Sequence, residues 1–203
     1  KNKKNFKKKY SSTLTVTLPY SLTNGQKEII NEIGDDLASP QRMFRILQGD
    51  VGSGKTIISI MSALDTIEAG YQCGLMAPTS ILAEQHYTLF KKIIEKTDLE
   101  INFSLLTGKT ELRERKKILE NLKNGKINFL IGTHALFQKT IIFNKLGLVI
   151  IDEQHKFGVK QRINFAKKGG TNCDILLMSA TPIPRTMMMS IYGDMDTSRL
   201  TEK

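Results

Sequence analysis

The stretch Gly49-Asp50-Val51-Gly52-Ser53-Gly54-Lys55-Thr56 constrains this chain most, because it matches G-x-x-x-x-G-K-[ST], the phosphate-binding P-loop. Each residue type serves a separate need. The glycines let the backbone curl so that successive N–H groups converge on phosphate oxygens. Lys55 places a positive charge near the β- and γ-phosphates, and Thr56 offers a hydroxyl to Mg²⁺. The helix that follows adds the positive end of its dipole. The surroundings agree with the motif. Met43 to Gln48 is a short, largely apolar run suited to a buried strand. Ile57, Ile58, Met61, Leu64 and Ile67 then recur at helical spacing, with Gly70 as a stop.

Strands and helices alternate through the rest of the chain. Thr13 to Leu18 has a period of two, which predicts a short edge strand or extended arm ending at Pro19. Thr23 is a good N-cap for a helix carrying Ile29, Ile30, Ile33 and Leu37 on one face. Beyond the P-loop helix, strands are predicted at 72–77, 101–106, 127–131, 146–151 and 174–178, with helices at about 81–96, 111–122 and 185–192 and a helical or looped stretch at 157–168. Arg113, Arg115, Lys116 and Lys117 make the 111–122 helix dense in charge, as a solvated face would be. Met187, Met188 and Met189 suit core filler. Continuous apolar strands separated by helices predict an α/β fold with a mostly parallel sheet and helices on both faces. Ligands in such folds bind beyond the carboxyl ends of the strands. Each polar cluster of this chain follows a strand, which predicts one shared functional edge.

At that edge, Asp152-Glu153 closes the apolar strand at 146–151 in the Walker B manner. Asp152 would hold Mg²⁺ through water, opposite Thr56. Glu153 would orient and deprotonate the water that attacks the γ-phosphate of ATP. Standing alone, such a pair is also what an acidic loop after a strand looks like.

Bulk properties narrow the class. The net charge of +10 invites a polyanion partner, yet six lysines fall in residues 1–10, where there is no acid, so most of the excess belongs to the tail. No apolar run approaches a membrane span, and the Lys-rich start has no secretory apolar region, so a cytoplasmic protein is expected. Cys73 and Cys173 have no C-x-x-C spacing and read as incidental reduced thiols. The three histidines lack zinc-ligand spacing, and no structural metal is expected. The initial lysine suggests a fragment or a processed chain.

Residues 152–162, Asp-Glu-Gln-His-Lys-Phe-Gly-Val-Lys-Gln-Arg, closely resemble motif II and its extension in the RecG family of bacterial ATP-dependent DNA helicases. So do the P-loop with Gln48, the run Ala77 to His86, the element Gly132 to Leu136, and Ser179-Ala180-Thr181 with Pro182, Pro184 and Arg185. Lys156 and Ser80 depart from the family's usual Arg and Glu. The resemblance covers about Leu18 to Asp196 and implies a RecA-like P-loop NTPase domain, the first motor domain of a superfamily 2 helicase.

It further implies roles for particular residues. Gln26, with the backbone near Tyr20, would recognise adenine. Read without the family, Gln26 is an ordinary surface glutamine of a helix. Thr79, Thr107, Gly108, Thr133 and His134 would touch the DNA backbone, although each Thr also suits a plain helix N-cap. Gln154, His155, Ser179 and Thr181 would couple nucleotide state to DNA grip. Residues 1–18 would be a basic linker or extended arm from an upstream domain, 19–196 the motor domain, and 197–203 the start of a linker to a second motor domain. In the whole family, ATP hydrolysis drives translocation on duplex DNA and remodelling of stalled forks and branched junctions. The second RecA-like domain, with its arginine finger, and the upstream wedge domain lie outside these 203 residues. The chain by itself is therefore expected to bind nucleotide weakly and hydrolyse it barely. Two rivals stand beside this reading: a nucleotide-gated DNA-binding module without turnover, and a P-loop ATPase acting on a target other than nucleic acid.

Overall fold

The computed structural model describes residues 4–153, 170, 173–181 and 195–201, with the side chains of Phe137 and Glu153 excepted. Its centre is a parallel sheet. In chain order the elements are α1 (Lys9–Thr17), α2 (Asn24–Ala38), β1 (Phe44–Gly49), α3 (Lys55–Glu68), β2 (Gln72–Met76), α4 (Ser80–Ile94), β3 (Phe103–Leu106), α5 (Leu112–Lys123), β4 (Phe129–Gly132), a 3₁₀ turn (His134–Phe137), β5 (Leu146–Glu153), β6 (Asp174–Ser179) and β7 (Asp196–Leu200). Among the described residues the strand order is β3-β4-β2-β5-β6-β1-β7. Every pairing is parallel.

The apolar strands are continuous because both faces are covered. On one face Leu47, Leu75, Phe129, Ile150 and Leu176 join a core with Ile33, Ile58, Leu64 and Phe90 of α2, α3 and α4. On the other, Ile46, Leu130, Val149, Ile151 and Leu177 pack with Ile118 and Leu122 of α5 and with Leu136 and Phe143. Neighbouring residues of one strand thus enter opposite cores, as strand geometry requires. Gly132 allows the tightest passage: a Cβ there would stand 2.1 Å from the carbonyl oxygen of Leu106 on the adjacent strand.

Two predicted segments differ. Thr13 to Leu18 is not a strand, since residues 9–17 are helical. Their hydroxyls turn back onto the helix, Thr13 to the Lys9 carbonyl at 3.0 Å and Thr15 to the Ser11 carbonyl at 2.9 Å, while Leu14 is buried against the body of the domain. Tertiary burial of Leu14 outweighs the strand preference of the alternating threonines. Residues 197–200, expected to begin a linker, instead belong to β7 and pair with β1 from Thr197 opposite Ile46 to Leu200 opposite Gly49. The helical or looped stretch expected at 157–168 and the helix expected at 185–192 lie outside the described residues.

Candidate active site

The register places Gly49, Met76, Gly132, Glu153 and Ser179 along one carboxyl edge of the sheet. The P-loop leaves β1 at Gly49 and enters α3 at Lys55. Gly52 and Gly54 have φ of 85° and 92°, which a side chain would strain, so the loop needs glycine at both. Lys55 Nζ donates to the carbonyls of Gly49 at 2.5 Å and Asp50 at 2.7 Å, which holds the ammonium at the mouth of the loop. Burial lowers the pKa of Lys55, opposed by the Asp152 and Asp50 carboxylates.

A cavity of about 320 Å³ adjoins the loop, lined among others by Gly52, Gly54, Lys55, Thr56 and Asp152, with Tyr20 also on its wall. Residues roughly a hundred positions apart thus meet where a nucleotide phosphate would sit. The oxygen donors of Thr56 and Asp152 suit Mg²⁺, a hard cation that keeps several waters and takes one or two carboxylates together with substrate phosphates. Asp152 Oδ2 is bonded to His86 Nε2 at 2.7 Å. Among the described residues nothing hydrogen-bonds Oδ1, so the carboxylate keeps an acceptor for a metal-bound water. Among the described residues no group of three or more His, Cys, Asp or Glu is placed to hold a metal ion. The residues present fit a magnesium ion shared with substrate phosphates.

Gln26 is buried rather than on the surface. Its Oε1 accepts from the Thr23 N–H at 3.0 Å, while Thr23 Oγ1 accepts from the Gln26 N–H at 3.2 Å, forming a capping box. Its Nε2 donates to the Ser53 carbonyl at 3.0 Å. The glutamine therefore ties the start of α2 to the P-loop. Tyr20, more than half exposed, stands at the cavity.

The residues expected to meet DNA share the same edge but differ in setting. Thr79 caps α4, accepting from the Leu82 N–H at 3.2 Å. Thr107 is buried in a turn, with Oγ1 accepting from the Lys109 N–H at 3.2 Å. Gly108 faces open space. Thr133 is buried, and among the described residues its Oγ1 has no hydrogen-bond partner. His134 is exposed at the start of the 3₁₀ turn. Ser179 Oγ donates to the Thr181 carbonyl at 3.0 Å and accepts from the Thr181 N–H at 3.3 Å, so this pair forms one turn after β6. Gln154 and His155 lie outside the described residues, as does the side chain of Glu153.

Sequence reasoning gave His86 no role. Its signal was present: in α4 the buried positions Ala83, His86, Phe90 and Ile94 follow helical spacing, which puts one ionisable ring in an apolar stripe. Gln48 is a second such residue, accepting through Oε1 from Arg199 Nε at 3.1 Å across the β1–β7 pair.

The sequence profile of the DEAD/DEAH box helicases matches residues 23–190. The chain is 50% identical over 186 residues to the ATP-dependent DNA helicase RecG of Staphylococcus epidermidis, covering 92% of this chain and 27% of that protein. It is 50% identical over 187 residues to RecG of Thermotoga maritima, covering 92% and 24%. It therefore spans about a quarter of the length of these relatives. A solved structure of RecG bound to a three-way DNA junction superposes with a TM-score of 0.87 at 44% identity, over 99% of this chain and 27% of that one. A DEAD box protein of Methanococcus jannaschii shares the fold, with a TM-score of 0.65 at 19% identity over 97% of this chain and 55% of that one.

Proposed function

The chain belongs to the DEAD/DEAH box helicase family, and from that premise we propose that it is the ATP-binding motor domain of a DNA helicase of the RecG kind. In the whole protein it would couple ATP hydrolysis to movement on duplex DNA and to remodelling of forked or branched junctions. The supporting observation is a cavity at the sheet's carboxyl edge that brings the P-loop and Thr56 together with Asp152. The RecG relative solved on a three-way DNA junction favours a branched duplex as the partner.

In this reading the main-chain N–H groups of residues 49–54 and the Lys55 ammonium take the β- and γ-phosphates. A magnesium ion, when bound, neutralises developing charge on the phosphate oxygens. Thr56 would offer its hydroxyl to that ion, and Asp152 would hold it through water. Glu153 takes the proton of the attacking water. Gln26 and the backbone near Tyr20 meet the adenine. Thr79, Thr107, Gly108, Thr133 and His134 meet the DNA backbone, where N–H and hydroxyl donors position the strand without reading its sequence. Gln154, His155, Ser179 and Thr181 link the two sites.

Residues 1–18 would lead in from an upstream domain, with Lys4 and α1 packed onto the motor; the motor proper would run from residue 19 through β7 to Leu200, and the residues after it would lead towards a second motor domain. That second domain and an upstream wedge are the partners in cis. No helix among the described residues is long and apolar enough to cross a membrane; we place the protein in the cytoplasm.

The test is ATP hydrolysis by the whole protein that carries this domain, with and without forked DNA. Magnesium-dependent turnover that forked DNA stimulates is expected. Lys55→Ala should lose nucleotide affinity, whereas Glu153→Gln should retain ATP but not cleave it. Turnover indifferent to DNA would overturn the helicase reading. Nucleotide-dependent DNA binding without turnover, unchanged in Glu153→Gln, would support a gated binding module instead.

A further inference from the structure

The bond between His86 and Asp152 joins the middle of α4 to the acid that ends β5. His86 is about one-tenth exposed and lies in the buried stripe of α4. A polar ring in that position costs stability unless it is hydrogen-bonded. Its Nε2 stands 2.7 Å from Asp152 Oδ2. A carboxylate has no hydrogen to give, so the ring is the donor and Nε2 carries the proton.

The scaffold behind the ring is rigid. Thr79 caps α4 seven residues upstream. One turn downstream, Phe90 packs edge-on against Phe103 and Phe129 of β3 and β4, with ring centroids 4.9 and 4.8 Å apart. Asp152 is itself a paired residue of β5, in register with Met178 of β6. Two fixed elements therefore hold one carboxylate oxygen, in a side chain that lines the cavity beside Thr56 and Lys55.

We infer that His86 is a positioning residue of the ATPase centre: its Nε2–H holds Asp152 Oδ2 so that the carboxylate presents Oδ1 to the magnesium shell. The inference rests on the proposed ATPase reading. It assigns His86 neither proton transfer nor contact with nucleotide. A hydrogen-bonded partner that orients a metal-directed ligand contributes to metal affinity rather than to binding of the metal-free substrate.

The experiment measures equilibrium binding of a fluorescent, hydrolysis-resistant ATP analogue to the protein, titrated with and without Mg²⁺. Wild type should bind more tightly with Mg²⁺. His86→Ala should lose about tenfold of that magnesium-dependent affinity, in the range seen for outer-shell partners of metal ligands, and keep its magnesium-free affinity. His86→Gln, whose carboxamide still offers an N–H, should recover to within about threefold of wild type. The inference is overturned by an unchanged magnesium response in His86→Ala, by an equal loss with and without Mg²⁺, or by failure of the glutamine variant to recover. A wild type with no magnesium-dependent binding would instead overturn the ATPase reading, and this inference with it.

Discussion

Lys4 Nζ lies 2.6 Å from Asp174 Oδ2, and both side chains are completely buried. The ammonium also donates to the Gly147 carbonyl at 2.6 Å and sits 5.0 Å from the centre of the Tyr71 ring. The other carboxylate oxygen of Asp174 accepts from the Met43 N–H at 2.8 Å. Asp174 opens β6, Gly147 is the second residue of β5, and Met43 precedes β1. The lysine thus closes the amino edge of the sheet, opposite the edge that carries the site. Far from being a solvated tail throughout, the basic start of the chain contributes a buried ion to the core.

Removing one partner of such a pair strands a charge in low dielectric. Lys4→Ala is expected to destabilise the fold by about 3–5 kcal/mol. Asp174→Asn keeps an acceptor for the Met43 N–H but removes the charge. Combined with Lys4→Met it should cost at least about 1 kcal/mol less than the two single changes added together. Urea unfolding of the four proteins measures the coupling, and additive costs would show that the pair does not act as a unit.

What the sequence disclosed and what it hid divide along physical lines. β2, β4, β5 and β6 were legible because burial on both faces makes them unbroken apolar runs. β7 was not, since an edge strand needs few inward residues, and only Ser198 and Leu200 are buried there. α1 misled because its threonines alternate as in a strand, yet their hydroxyls bond the preceding turn. The P-loop and Asp152-Glu153 were legible because phosphate and metal chemistry fix residue types within a few consecutive positions. The contacts of Gln26 with Ser53 and of His86 with Asp152 bridge 27 and 66 positions, and no local spacing encodes either.

Asp65 on α3 predicts a pH dependence. It is almost wholly buried, and among the described residues its Oδ1 has no hydrogen-bond partner. Burial pushes its carboxyl up to about 6, while the nearby Ser11 hydroxyl and the charge of Lys8 pull it down and Glu68 pushes it further up. A raised acid makes the folded state the better proton binder. Below about pH 4 the group is protonated in both states and contributes nothing. As pH climbs from about 4 to 6 the unfolded chain ionises first and stability falls, reaching a penalty of about 3 kcal/mol above that window. Asp65→Asn should therefore match wild type at pH 4 and exceed it at pH 8 by up to about that amount. Equal urea midpoints at pH 8 would refute this.

Cys73 and Cys173 are both completely buried. Desolvation drives the Cys73 thiol far above its ordinary pKa, only partly offset by the charge of Lys4. Thiolate is the reactive form, and here it is both suppressed and inaccessible. A thiol-specific chromogenic reagent should leave the native protein essentially unlabelled and titrate both thiols in denaturant. Rapid labelling of either thiol in native buffer would mean that the core around β2 and β6 opens readily.

Gln26 carries the sharpest test of the nucleotide site, because its carboxamide already serves the protein at both ends. Gln26→Ala removes the side-chain half of the capping box and the donor to the Ser53 carbonyl, for an expected cost of about 1 kcal/mol in stability. If the same carboxamide also reads adenine, the variant should lose its preference for ATP over GTP, with ATP affinity falling about tenfold for a lost hydrogen bond or two. If the residue only anchors the loop, ATP and GTP affinities should fall together and their ratio should stay as in wild type. Competition of the two nucleotides against one fluorescent analogue separates these outcomes, and an unchanged ratio would remove adenine recognition from the role of Gln26.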